Sequence, residues 1–429
     1  MRERAVRRFA GLLRSRLPEV GLEEVPDPRA REGRWSLAQI LTAALVGLMA
    51  GCRSLSETEV LTEGLAPAMR RRLGLPRRLA DTTARDALCR VPLEGLRAAL
   101  HRLVRAAWRR KVLAPQGLPF GVVAMDGKVT ALPALNHPLV QNRVTDQEVP
   151  YGLVRTVTCA LVSAAGRPCI DVMPLPDHAN EVSHFQAALA GLVEAHGGLF
   201  QVVSYDAGAL SEANASAVIA AGKDYLFTLK GDQRTMYKLA EQLLDPHDVA
   251  AHTMDVLDNR TTVTRTLTLL GVDPSWSYDR SKGPDESVWS HAGTFLRVEY
   301  RKVRAGEVVE QDARMFVSSL QRDRLTPAQW LLLVRSHWGV ENNAHHTLDT
   351  AFAEDDRPWI EADPDGMLAV LVLRRIAYTL LALYRAVTLR SDEGRATRWK
   401  VLLQSLRDVL IAATEEQLAG LRDVAAATR

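Results

Sequence analysis

Apolar residues recur at helical spacing through the first quarter of the chain and at strand spacing through its middle. Between about 36 and 113 the repeat is three to four residues. It runs through SLAQILTAALVGLMA, SLSETEVLTEGL, TTARDALCR behind Asp81 as a cap, and PLEGLRAALHRLVRAAWRRKV, where Leu96, Leu100, Leu103 and Val104 form one stripe. The texture then becomes extended. GVVAM leads to Asp126, and YGLVRTVTCALVS and RPCIDVMPL follow, which predicts three strands in an antiparallel meander. Next come the helix EVSHFQAALAGLVEAH, the strand FQVVSYDAG ending in Asp206, the helix SEANASAVIAAG and the strand DYLFTLKG. A meander continued by alternating helix and strand makes a mixed α/β fold, one sheet with helices on its faces. Alternation returns between about 250 and 320 in VTRTLTLLGV, TFLRVEYRKV and DARMFVSSL, a β-rich insertion with a turn at RAGE. A long helix, TPAQWLLLVRSHWGVENNAHHTLDTAF, then starts with Thr326 as cap and Pro327 in its first turn, and it carries Glu341. Two further helical segments close the chain. The expected organisation is a helical domain over 1–113, a mixed α/β domain over 114–364 containing the insertion, and a C-terminal helical region over 365–429. The run at 37–52, LAQILTAALVGLMAGC, falls short of the roughly 20 residues of a membrane span and predicts a buried helix, so no membrane partner is expected.

Charge changes the picture. The 429 residues have a net charge of only +3, yet residues 1–111 alone carry +11, leaving the remainder acidic. The basic end suits a polyanion and the acidic remainder could hold metal. Of the 54 basic residues all but eight are Arg, the side chain whose fork matches phosphate. At the end of the fourth helix Arg102, Arg105, Arg109, Arg110 and Lys111 crowd together, where they either answer the helix dipole or meet phosphate. The four cysteines are widely separated with no CxxC pair, so a disulfide framework or zinc ribbon is not expected and a reducing cytoplasm fits. The first twenty residues, with Glu3 and no long apolar core, do not read as a secretory signal.

Three acids stand in settings that suit phosphodiester chemistry by two metal ions: Asp126 in AMDGK, Asp206 in SYDAG and Glu341 in HWGVEN. The two aspartates follow apolar strand runs, where an unpaired buried charge would cost several kcal/mol, and facing an ion would resolve that cost. Taken singly, a strand-end Asp serves as readily as a turn residue or cap, and Glu341 as a solvated helix residue. Lys128 and Lys230 lie beside sheet ends, placed either to neutralise phosphate or to pair on the surface. Arg335 and His345 lie on the Glu341 helix near that residue and could contact phosphate or orient a carboxylate. Trp338 reads as core packing, and His137, in VTALPALNHPLVQNRVTDQ, as a loop residue that could approach the site. A glycine-rich phosphate loop is absent.

The segment VPDPRAREGRWSLAQILTAALVGLMAGCRSLSETEV, followed by LADTTARDALCRVPLEGL, resembles the N-terminal region of bacterial insertion-sequence transposases of the ISAs type, which include the H-repeat-associated proteins. AMDGK, VSYDAG, DYLFTLKGDQ, MFVSSL and RSHWGVENNAHHTLDTAFAEDD are similar to that family's catalytic motifs in the same order. The resemblance implies a ribonuclease-H-like core with a β insertion between the second Asp and the Glu. It implies Asp126, Asp206 and Glu341 as a DDE triad binding two magnesium or manganese ions. It further implies that Gln233 of the KGxQ pattern and Arg265 in TVTRTL lie near DNA, although the acidic residue that usually precedes that Arg in the family is absent here. The expected partners are double-stranded DNA, as terminal inverted repeats and target, and a second copy of the chain in the synaptic complex. The expected activity is end cleavage and strand transfer. A nuclease of the same fold that cuts without joining, or a DNA-binding regulator that has lost chemistry, are the competing readings.

Overall fold

The computed structural model describes residues 3–29, 33–177, 181–206, 208, 210–229, 234–245, 248–258, 260–272, 291–389 and 391–418. Its centre is one ten-stranded mixed sheet: β1 Val122–Pro133, β2 Val140–Val144, β3 Pro150–Leu161, β4 Cys169–Leu175, β5 Val202–Tyr205, β6 Asp224–Leu229, β7 Val249–Asp258, β8 Thr261–Gly271, β9 Thr294–Arg304 and β10 Glu307–Ser318. The lateral order is β2-β3-β1-β5-β6-β10-β9-β8-β7, with β4 pairing the remaining stretch of the β3 edge. The pairs β1/β3 and β3/β4 are antiparallel, as the meander predicts, whereas β1/β5 and β5/β6 are parallel with helices between them. Two features of the first strand differ from the sequence reading. Asp126 does not end β1, which runs seven residues further to Pro133, and the stretch read as loop contains β2, bound to β3 from Val140 to Val144.

The insertion continues the same sheet, since β10 pairs with β6. It has four described strands where three were expected, the additional one being β7. At the RAGE turn Ala305 and Gly306 both have positive φ, 53° and 90°, the backbone that lets two residues join twisted antiparallel strands.

Even-numbered residues of β1, Val122 and Ala124, pack in a core with Trp330, Leu333, Val334 and Val340. The odd-numbered Val123 and Met125 face a larger core shared with the helix Glu181–His196 and the N- and C-terminal helices. The helices Leu37–Met49 and Leu93–Arg109 pack against a 20-residue helix, Pro364–Leu383. The apolar stripe of Leu93–Arg109 is buried as patterned, and Asp81 begins its helix without capping it, accepting instead from Ser56 Oγ at 3.0 Å. The helix over Pro364–Thr388 is long and apolar enough to cross a membrane, with mean hydropathy 1.8, but that apolar stretch is entirely covered by protein.

The N-terminal helices are tied to the sheet by a buried ion pair. Arg97 donates through Nε and Nη2 to the two oxygens of Asp171 on β4, at 3.2 and 2.9 Å, and His101 lies 3.1 Å from the same carboxylate. Burial alone would push the Asp171 carboxyl up; His101 and Arg97 hold it below the usual range. Beside it His196 stands edge-on to His101, its Nε2 3.1 Å from the Ile170 carbonyl, and burial pushes its pKa down to about 4. The unfolded imidazole titrates near 6.5, so the stability His196 contributes is complete above that value and is lost as pH falls toward 4. Between pH 7 and 4.5 the expected loss from this residue is about 2 to 3 kcal/mol. Urea unfolding of wild type and His196→Gln at both pH values measures it as a smaller decline in the variant.

Candidate active site

Parallel register sets the first two acids side by side. Met125 of β1 pairs with Tyr205 of β5, so Asp126 and Asp206 are the next residues on neighbouring strands, whose spacing is about 4.8 Å. Asp206 leaves the end of β5, and its carboxylate accepts from the Gly208 backbone N–H at 2.8 Å.

The third acid comes from across the cleft. Thr326 caps Pro327–His337 through a reciprocal box with Gln329, as its position before Pro327 predicts. The expected uninterrupted helix is broken, however. It ends at Trp338, reopens as a π-helical turn over Val340–His345 and returns to α over His346–Thr350. Such π turns recur at functional sites. Gly339 sits at the break, where a Cβ would come within 3.1 Å of Val162 and 3.2 Å of Arg167, so the smallest residue lets this helix approach the sheet. Glu341 is exposed on the π turn.

Asp126, Asp206 and Glu341 border one cleft of about 750 Å³, together with His337, His345 and Arg314. Among the described residues no three acidic, histidine or cysteine side chains stand together as a ready ligand set. The donor chemistry, three carboxylates on one wall-to-wall cleft, fits a hard divalent cation; the set borders the space without closing on it.

Two histidines shape the acidic wall. His345 is nearly buried and places Nδ1 3.0 Å from Asp126 Oδ2, so it orients a carboxylate and does not reach outward to DNA. His337, for which the sequence gave no signal beyond its spacing from Glu341, is buried with Nδ1 2.6 Å from Ser204 Oγ. Burial lowers its pKa to about 4 against the pull of Asp126 and Asp206, which makes it a neutral support beneath the two acids at neutral pH.

The remaining candidates divide. Lys128 faces inward: its Nζ contacts Asp349 and lies 3.2 Å from Glu354 and 3.0 Å from Asp355, with only 8% of the residue exposed. Burial disfavours its charge, but Glu354 and Asp349 more than compensate and raise its pKa. This corrects the expectation of a surface cation, because three acids already surround it. Arg265 and Arg335 converge on Asp255 of β7, the strand paired with that of Arg265, at 2.5 and 3.3 Å. The Arg265 guanidinium also lies over Tyr300, 5.5 Å from its ring centre. Lys230 and Gln233 lie outside the described residues. His137 does not line the cleft; its Nδ1 accepts from the Leu139 N–H and its Nε2 lies 3.5 Å from Asp365. Trp338 meets Phe316 edge-on, as a packing role predicts, but also lines the cleft and carries Arg314 over its face at 5.0 Å. A second recess of about 400 Å³ shares Trp338, Arg314 and Glu341 and reaches Arg265, Tyr300 and Asn342. Arg314 and Tyr237 also line the cleft; the sequence reading passed over both, although Arg314 immediately precedes MFVSSL.

No protein-family model matches the chain, and no curated protein matches it. Among solved structures it is similar to piggyBac transposase, seen by cryo-EM in a synaptic complex with hairpin DNA. The identity is 12%, the TM-score 0.44, and the match covers 99% of this chain and 82% of that one. A likeness that weak fixes neither fold nor activity, and both rest on this chain's own geometry.

Proposed function

We propose that the chain is a DNA transposase of the DDE type on a ribonuclease-H-like core, cleaving element ends and joining them to target DNA. The observation that carries this reading is the meeting of Asp126, Asp206 and Glu341, separated by 80 and 135 residues, at one cleft. The order β4-β3-β1-β5-β6, antiparallel on one side of β1 and parallel on the other, supports the core assignment. The insertion β7–β10 falls between the second Asp and the Glu, where the sequence resemblance requires it.

Asp126, Asp206 and Glu341 would hold two magnesium or manganese ions, which supply charge neutralisation at the attacking and leaving oxygens. His345 keeps one oxygen of Asp126 fixed and His337 supports the acidic wall from below. Arg314 at the cleft rim, with Arg265 and Arg335 beyond it, suits the phosphates of a bound strand. Water attacks phosphorus at the element end and the bond to the 3′ oxygen breaks, leaving a 3′ hydroxyl. That hydroxyl attacks a target phosphodiester and displaces its own 3′ oxygen, so each step exchanges one P–O bond for another. The basic N-terminal helices would bind the inverted repeats through phosphate contacts, as a dimer in the synaptic complex.

The test uses linear DNA carrying the ends that flank this reading frame, with Mg²⁺ or Mn²⁺. End cleavage followed by transfer of precleaved ends into a target plasmid is expected. Cleavage without joining would establish the nuclease reading instead, and binding without any nicking would establish the regulator.

A further inference from the structure

The segment carrying Glu341 is held to the strand carrying Asp126 at two points, and the spacings match. His345 and Asp349 are four residues apart on the helix, a rise of about 6 Å. Asp126 and Lys128 are two apart on one face of β1, a separation of about 6.6 Å. His345 meets Asp126 at 3.0 Å and Asp349 meets Lys128, so the two elements engage in register like paired teeth. The need for such anchors is written in the helix itself. Between Trp338 and His345 the α ladder is interrupted, so the regular backbone of Pro327–His337 does not by itself dictate where Glu341 stands.

The second tooth is reinforced from behind. Glu354, 3.2 Å from Lys128, also pairs with Arg375 of the helix Pro364–Leu383, and Arg375 reaches Thr158 Oγ1 on β3 at 3.4 Å. Thr158 is the register partner of Asp126. The network therefore runs from the acid strand to the Glu341 segment and back to the strand beside it.

We propose that Lys128 and Asp349 are positioning residues, a clamp that sets the Glu341-bearing turn against β1 and so fixes the separation of the third acid from the other two. The inference rests on the transposase reading for its catalytic consequence, but the clamp itself is a physical contact that can be measured without catalysis. A buried Lys ringed by acids makes no demand on DNA; its loss acts through Glu341.

The experiment compares wild type, Lys128→Met, Lys128→Arg and Asp349→Asn. The last is the gentler variant, because a third of the Asp349 side chain is exposed and the amide keeps its size. Hydrogen exchange on the metal-free protein is expected to show faster exchange of the amides from 339 to 350 in Lys128→Met and Asp349→Asn, with partial recovery in Lys128→Arg. Mn²⁺ titration of end cleavage is expected to show half-saturation raised about 10- to 100-fold, the range for losing a residue that orients a ligand, with KM for DNA unchanged. Unchanged exchange across 339–350 would overturn the clamp whether or not the protein cleaves DNA. Weaker DNA binding with a salt slope reduced by about one, and an unmoved Mn²⁺ curve, would instead make Lys128 a phosphate contact and overturn the proposal. Absence of Mn²⁺-dependent cleavage in wild type would refute the transposase reading, and the catalytic role of the clamp with it, while the exchange result still decides the contact.

Discussion

Asp206→Ala is expected to cut end DNA at least about 1,000-fold more slowly than wild type, equivalent to roughly 4 kcal/mol of lost transition-state stabilisation, while binding the same DNA with unchanged affinity. The expectation follows from register. Asp206 is beside Asp126 because β5 lies parallel to β1, and among the described residues no other acid lines the cleft from that strand end. Alanine also removes the acceptor for the Gly208 N–H, so Asp206→Asn is the sharper companion: its side-chain oxygen can still accept that bond while the charge is gone. Both variants should fail alike in a gel-based cleavage assay with Mg²⁺ and with Mn²⁺. Activity of Asp206→Asn within tenfold of wild type would remove Asp206 from the chemistry and leave the loop conformation as its only role.

The largest expected loss of stability comes from Arg375→Met, about 3 to 5 kcal/mol, because it strips a fully buried carboxylate of its main partner. Glu354 is 1% exposed; burial alone would push its pKa up, but Arg375, Lys128 and Arg374 hold it at about 2. A carboxyl depressed below its unfolded value near 4.5 contributes stability that is present above 4.5 and lost as pH falls toward 2. Arg375→Met should therefore lower the urea midpoint at pH 7 and flatten the acid limb of the stability profile. The double variant Arg375→Met/Glu354→Leu removes both charges and should recover part of the loss, since an apolar pair of similar volume avoids the unpaired buried ion. A double variant no more stable than the single one would show that the cost lay in packing.

What could be read from the chain was what local rules encode. The strand running into Asp206, the Thr326 cap before Pro327 and the apolar stripe from Leu96 to Val104 each follow from residues within one or two turns of one another. The three acids were identifiable as candidates for the same reason, although their convergence depends on strand register that no local pattern specifies. The misread parts are those decided at long range. β1 continues past Asp126 because β3 offers partners as far as Tyr151, and β2 exists because the same strand has a second free edge. Lys128 looked like a surface cation because Asp349, Glu354 and Asp355 are more than 200 residues away in sequence. Asp255 reaches Arg265 across a hairpin, ten residues back, where a scan of immediate neighbours does not look. The π turn was hidden because its residues fit an ordinary helix equally well; Gly339 at the break is the one local hint, and its close pass over Val162 and Arg167, just beyond β3, is a long-range contact.

The burial of Pro364–Leu383 bears on how the molecule is made. This helix packs largely against segments synthesised before it, including Leu37–Met49 and Leu93–Arg109, and it supplies Arg375 to Glu354. A nascent polypeptide thus exposes the apolar walls that await it until position 383 has been passed and the helix has left the ribosome. A frameshift or stop codon upstream of position 364 would yield a sticky, incomplete body, recovered as aggregate and not as a shorter folded protein.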